Sequence, residues 1–169
     1  MTNPTFVVGI DGSPASRSAL TMAFDEVSAH GGRIHAVTCW NHDTKAISDS
    51  GLPPADSYEN AARILRTVVF DESEDADELR VVVREITQGE PGPALIAASR
   101  HASALFIGAT NEGSVSRLSH RSVSDYCLRN SHVPVTVVPY VPQAIETPEE
   151  IGDAEFRNAI DQVEAATRL

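Results

Sequence analysis

Between Thr5 and Pro139 the chain alternates short β-branched runs with stretches of helical periodicity, and few architectures accept that alternation. The first run, Thr5-Phe6-Val7-Val8-Gly9-Ile10, is apolar at nearly every position. A strand with one wet face would alternate, so this one is covered on both faces, as in a parallel sheet. Asp11-Gly12-Ser13-Pro14 ends it, and Ser13 followed by Pro14 reads as a helix N-cap and first helical residue. Leu20, Ala23, Phe24 and Val27 then share one helical stripe, which Gly31-Gly32 stops. Further strands are expected at Ile34 to Trp40, Arg80 to Ile86, Ala104 to Ile107 and Val133 to Pro139. Helices are expected where Tyr58, Ala61, Ala62, Leu65, Val68 and Val69 recur, from Pro93 to Arg100, and from about Ser122 to Asn130. The order predicts an α/β fold, a doubly wound, Rossmann-like sheet of five parallel strands with right-handed crossovers.

Two segments stand outside this alternation. Asp71 to Glu78 concentrates acids without the spacing or central glycine of a calcium loop, so it reads as a solvated helix end or loop. Beyond Pro142 the character changes. Thr147-Pro148-Glu149-Glu150 is a capping box, followed by Ile151, Phe156, Ile160 and Val163 as a broken apolar stripe on an acidic helix. The expected division is an α/β domain over residues 1–141 and an acidic helical tail over 142–169. The tail either packs on the domain, frays from it, or docks a partner.

Charge excludes one class of partner. A nucleic-acid binder needs a basic face to neutralise phosphates, and with a net charge of −11 this chain repels them overall, so nucleic acid is not expected. No run approaches the roughly 20 apolar residues of a membrane span, and Met1-Thr2-Asn3-Pro4 does not resemble a signal peptide. With only Cys39 and Cys127, both in apolar segments, a disulfide framework is not indicated. A cytoplasmic location is the expectation.

Open parallel sheets bind ligands beyond the carboxyl ends of their strands, where the strand order reverses. Three pieces should reach that edge: Ile10-Asp11-Gly12-Ser13, Cys39-Trp40-Asn41, and the loop from Gly108 to Val123. That loop is rich in Gly and Ser and carries Arg117, His120 and Arg121, and a helix opens at its end near Ser122. Bare backbone, local positive charge and a helix N-terminus suit an anion such as a phosphate. Neither a Walker loop nor a Gly-x-Gly-x-x-Gly turn is present. Asp11 has a bland alternative as a charge near a helix N-terminus, and His120, His42 and Asp43 read as loop residues. No serine sits in a Gly-x-Ser-x-Gly elbow.

Phe6 to Ser13 followed by Ser16 and Ala19, then Gly89 to Ala98, Ala104 to Gly108, Ser122 to Ser124 and Val133 to Pro139, resemble in order the universal stress protein family. The resemblance implies an adenine nucleotide α-hydrolase-like fold and a role in stress response. It also implies a choice, because one branch of that family binds ATP through Gly-x-x-Gly-x9-Gly-Ser/Thr and the other lacks the motif. Laid on this chain, Gly108 and Ser122 match, while Asn111 and Arg121 stand where glycines are expected. Asn tolerates a left-handed backbone, whereas Arg121 puts a long side chain where bare backbone meets phosphate. The implied site for ATP or a related adenine nucleotide is Ile10, Asp11, Cys39, Gly108, Asn111, Gly113, Arg121, Ser122 and Val123, with Asp11 near the ribose and the Cys39 backbone near adenine. A homodimer through the strand Val133–Val138 is also implied. The alternative is a dimeric protein of the non-binding branch that acts through protein contacts. No general base or metal set is visible, so any turnover of ATP is expected to be slow.

Overall fold

Nine-residue helices and five-residue strands are short, and what stabilises them is the way each buries its apolar positions against the next element. The computed structural model describes residues 3–41, 56–109 and 122–140. Within them β1 (Thr5–Gly9) leads to α1 (Pro14–His30), then β2 (Arg33–Trp40), α2 (Tyr58–Glu72), α3 (Ala76–Val81) and β3 (Val82–Gln88). The chain continues through α4 (Pro91–Ser99), β4 (Ala104–Gly108), α5 (Val123–Asn130) and β5 (Val135–Val138). All strand pairs are parallel and lie in the order β3-β2-β1-β4-β5. The order therefore reverses between β1 and β4.

Each face of the sheet has its own core. On one face Phe6, Val8, Ile34, Ala36 and Phe106 pack with Leu20 and Phe24 of α1 and with Leu65 and Val69 of α2. Phe6 and Phe106 meet edge to face, their ring centroids 6.0 Å apart. On the other face Val7, Val37, Leu105 and Ile107 pack with Leu95 of α4 and Cys127 of α5. Adjacent residues of β1 and β4 thus point into different cores, which is why those runs are apolar without alternation.

Ser13 caps α1 as expected, its hydroxyl accepting from the Ser16 N–H at 3.2 Å, with Pro14 as the first helical residue. Gly31 ends the helix at φ 69. The third strand departs from expectation at its start. Asp75 accepts from the N–H groups of Asp77 and Glu78 and starts a separate helix, α3, so β3 begins at Val82 rather than at Arg80. Local capping wins there because Asp75 satisfies two helical donors, while the β-branched run on its own argued for a strand. Helix α4 likewise starts at Pro91 instead of Pro93, because proline is tolerated throughout a first helical turn. At the other end β5 opens at Val135, after Pro134.

Candidate functional site

Reversal of the strand order places the ends of β1 and β4 side by side with their connections leaving on opposite faces, and a crevice forms at such a point. The β1 side is a tight, well-determined turn. Ile10 is buried, and its N–H donates to the Val37 carbonyl at 2.8 Å, extending the sheet one residue beyond β1. Gly12 has φ +85, a left-handed conformation that side chains resist. Asp11 is exposed, and one of its carboxylate oxygens accepts from the Ser13 N–H at 2.9 Å. Only Oδ1 of Asp11 is engaged in this bond. The side chain therefore serves the turn and still presents an anionic acceptor to solvent.

On the β4 side Gly108 is held for a structural reason. A β-carbon there would lie 2.7 Å from the carbonyl carbon of Ala15 and 2.7 Å from the Ser16 nitrogen. The first turn of α1 is seated on the end of β4, and only glycine lets the two backbones approach that closely. The next residue, Ala109, donates its N–H to the Val138 carbonyl at 2.8 Å, so that donor is spent on the sheet. Helix α5 begins beyond, with Ser122 as N-cap accepting from the Asp125 N–H at 3.0 Å. The Ser122 hydroxyl also lies 2.9 Å from that of Ser124, and Val123 packs against the core of that face.

Cys39 lies opposite Thr87 in the β2–β3 ladder and packs against the core beneath α4 and α5. Burial, followed by the nearby Glu85 carboxylate and Cys127, pushes its thiol up to about 12. Burial alone takes Cys127 to about 11. Both are neutral thiols, unsuited to nucleophilic chemistry at neutral pH. Glu85 itself sits 2.7 Å from His35, on the same face of the sheet.

The structure thus brings Ile10, Asp11 and Gly108 to one crevice at the carboxyl edge, with Cys39 at the end of the adjoining strand and Ser122 and Val123 opening the helix that follows β4. Asn111, Gly113 and Arg121 lie outside the described residues, as do Arg117, His120, His42 and Asp43. Among the described residues no group of three His, Cys, Asp or Glu side chains is placed to hold a metal ion, and no helix is long and apolar enough to cross a membrane. One buried polar group went unremarked in the sequence. Thr38 is 2% exposed, and its hydroxyl has no hydrogen-bond partner among the described residues. Its neighbours in a β-branched strand concealed it, since threonine and valine read alike there.

In a comparison against protein families, the universal stress protein family matches residues 3–139. The chain belongs to the universal stress protein family. The match stops short of residues 142–169. A curated universal stress protein of Mycobacterium tuberculosis is 32% identical over 134 residues, which is 78% of this chain and 44% of that relative. One from Mycolicibacterium smegmatis is 28% identical over 132 residues, with the same coverage. This universal stress protein therefore spans less than half the length of the curated relatives it matches.

Solved structures share the fold. A universal stress protein in complex with cAMP superposes with a TM-score of 0.59 at 19% identity, covering 83% of this chain and all of that one. Another, from Archaeoglobus fulgidus in complex with dAMP, gives a TM-score of 0.55 at 18% identity and covers 81% of this chain and 98% of that one.

Proposed function

We propose that this universal stress protein is a regulatory module that binds an adenine nucleotide at the carboxyl edge of its sheet, between β1 and β4. The observation that carries the reading is the juxtaposition of Asp11 and Gly108 across the point where the strand order reverses. The residues fit a nucleotide in kind. Asp11 keeps a carboxylate oxygen for ribose hydroxyls, and the N-terminal end of α5, which follows β4, carries the positive end of a helix dipole that suits a phosphate. Proteins of the same fold hold cAMP and dAMP, which supports an adenine base as the ligand class. Among the described residues no general base accompanies these groups, and the proposed role is sensing rather than turnover.

A second reading has its own support. Gly108 is already required by the packing of α1, so its presence does not argue for a phosphate. With Arg121 in place of a motif glycine, the chain then belongs to the branch that acts without nucleotide, through protein contacts. Calorimetry with ATP, ADP and AMP on the parent protein and on Arg121→Gly separates the two. Binding by the parent that weakens in the variant means the guanidinium contacts phosphate. Binding only by the variant means Arg121 blocks the site and the second reading holds, as does the absence of binding by both.

In either case the chain acts as a homodimer. The carbonyls of Pro134 and Val138 accept from Leu105 and Ala109, so Val135 and Val137 turn their backbone groups to the open edge of the sheet. An unpaired, β-branched edge favours pairing with a second copy across a two-fold axis. A cytoplasmic site of action is part of the same proposal.

A further inference from the structure

An open groove of about 660 Å³ runs along the outer face of α1, between the end of α2 and the chain that leaves β5. Its walls include Arg17, Met22 and Asp25 of α1, Glu72 of α2, and Val138 and Tyr140 where the chain leaves β5. Met22 and Tyr140 are 39% and 42% exposed, so among the described residues the groove offers uncovered apolar surface. Its charges are unevenly matched. Arg17 lies 3.2 Å from Asp71 and 2.9 Å from Glu72, whereas Asp25 has no ion pair among the described residues.

Tyr140 is both a wall of this groove and the last described residue, so the chain beyond it starts from inside the groove. The segment that follows carries Ile151, Phe156, Ile160 and Val163 among seven acids, with Arg157 and Arg168 as its cations. We propose that the groove is the docking site of the chain's own C-terminal segment, residues 148–163, with Phe156 set against Met22 and Tyr140 and Arg157 turned toward Asp25.

Reach and tethering support this occupant over a separate protein. The linker from Val141 to Thr147 spans up to about 23 Å when extended, more than the roughly 17 Å of α1 between Pro14 and Asp25. A tether this short holds the segment at an effective concentration in the millimolar range, so a small apolar contact suffices to seat it. Arg17 bonds the carboxylates of both Asp71 and Glu72 and offsets one of their two charges, which reduces repulsion of an acidic helix. Asp25, which has no ion pair among the described residues, suits Arg157, the cation adjacent to the largest apolar side chain of the segment. Pro14 also lines the groove and directly follows the Asp11–Ser13 turn, so a docked tail abuts the first turn of the helix that frames the crevice.

The chain has only two methionines, Met1 and Met22, so methyl-labelled methionine in the full-length protein gives two assignable NMR signals. The Met22 signal is expected to move in Phe156→Ala, through loss of the ring current, while Met1 stays in place. An Asp25→Lys chain is expected to show the same displaced Met22 signal. A Met22 signal unchanged by Phe156→Ala overturns the proposal. Labelled Phe156→Ala chains mixed with unlabelled parent give the second control. Return of their Met22 signal to the parent position means the groove takes a neighbouring copy's tail, which also overturns it.

Discussion

The α-carbon of Gly108 faces the backbone of Ala15 so closely that any β-carbon on Gly108 would fall 2.7 Å from the Ala15 carbonyl carbon. The end of β4 is thereby the seat of the first turn of α1. Gly108→Ala forces strand and helix apart and is expected to cost about 1–3 kcal/mol of stability. Urea unfolding without any ligand measures it. A variant as stable as the parent would show that the seat yields freely and that the glycine answers to a ligand instead.

Asp11 combines a structural and a functional role that substitution can divide. Asp11→Ala removes the acceptor for the Ser13 N–H and is expected to cost about 1 kcal/mol. Asp11→Asn keeps that acceptor and should leave the melting temperature near that of the parent. If the carboxylate accepts from ribose hydroxyls, the same Asn variant weakens nucleotide binding about tenfold, the loss of one charge-assisted bond. Equal affinity in titration calorimetry would remove Asp11 from the nucleotide site.

Among the described residues the buried Thr38 hydroxyl has no partner. Thr38→Val keeps the shape and removes the unsatisfied group, so it should raise stability by about 1 kcal/mol. A drop in the urea midpoint would mean that a buried water satisfies the hydroxyl.

The outward N–H of Val137 lets the dimer edge be tested without cutting an internal bond. Proline is tolerated on edge strands because the donor it lacks there faces outward. Val137→Pro is expected to shift the protein from dimer to monomer in light scattering while circular dichroism still reports a folded chain. A parent that is monomeric at high concentration, or a folded variant that remains dimeric, contradicts pairing through β5.

The two cysteines predict an alkaline weakness. Their ordinary value is 9.0, and in the folded protein they stand at about 12 for Cys39 and about 11 for Cys127. Above pH 9 the unfolded chain releases these protons before the folded one does, so unfolding is favoured. The contribution is intact below pH 9 and declines as pH rises through the folded values. Melting temperatures should fall from pH 9 to 11 more steeply in the parent than in a Cys39→Val variant. At pH 8 iodoacetamide should alkylate the native chain far more slowly than the urea-unfolded one.

The alternation of β-branched runs with helical stripes determined the fold class, because a strand apolar at every position must be buried on both faces. Ser13-Pro14 and Gly31-Gly32 likewise marked the ends of α1, since caps are local hydrogen-bond and φ requirements that neighbours in sequence satisfy. The start of β3 was not legible locally, because the helix that Asp75 caps and the β-branched Val81-Val82-Val83 compete over the same residues, and the helix extends to Val81. Strand order was not local. Which strands flank β1, and hence that Asp11 and Gly108 share a crevice, depends on pairing across a hundred residues. The same holds for the role of Gly108. In the sequence it is a glycine at the head of a binding motif, and only the packing of α1 against β4 shows a second, steric demand on it. Burial decided the rest. The unpaired hydroxyl of Thr38 and the raised thiols of Cys39 and Cys127 arise from neighbours far apart in the chain, whose exclusion of water no local pattern encodes.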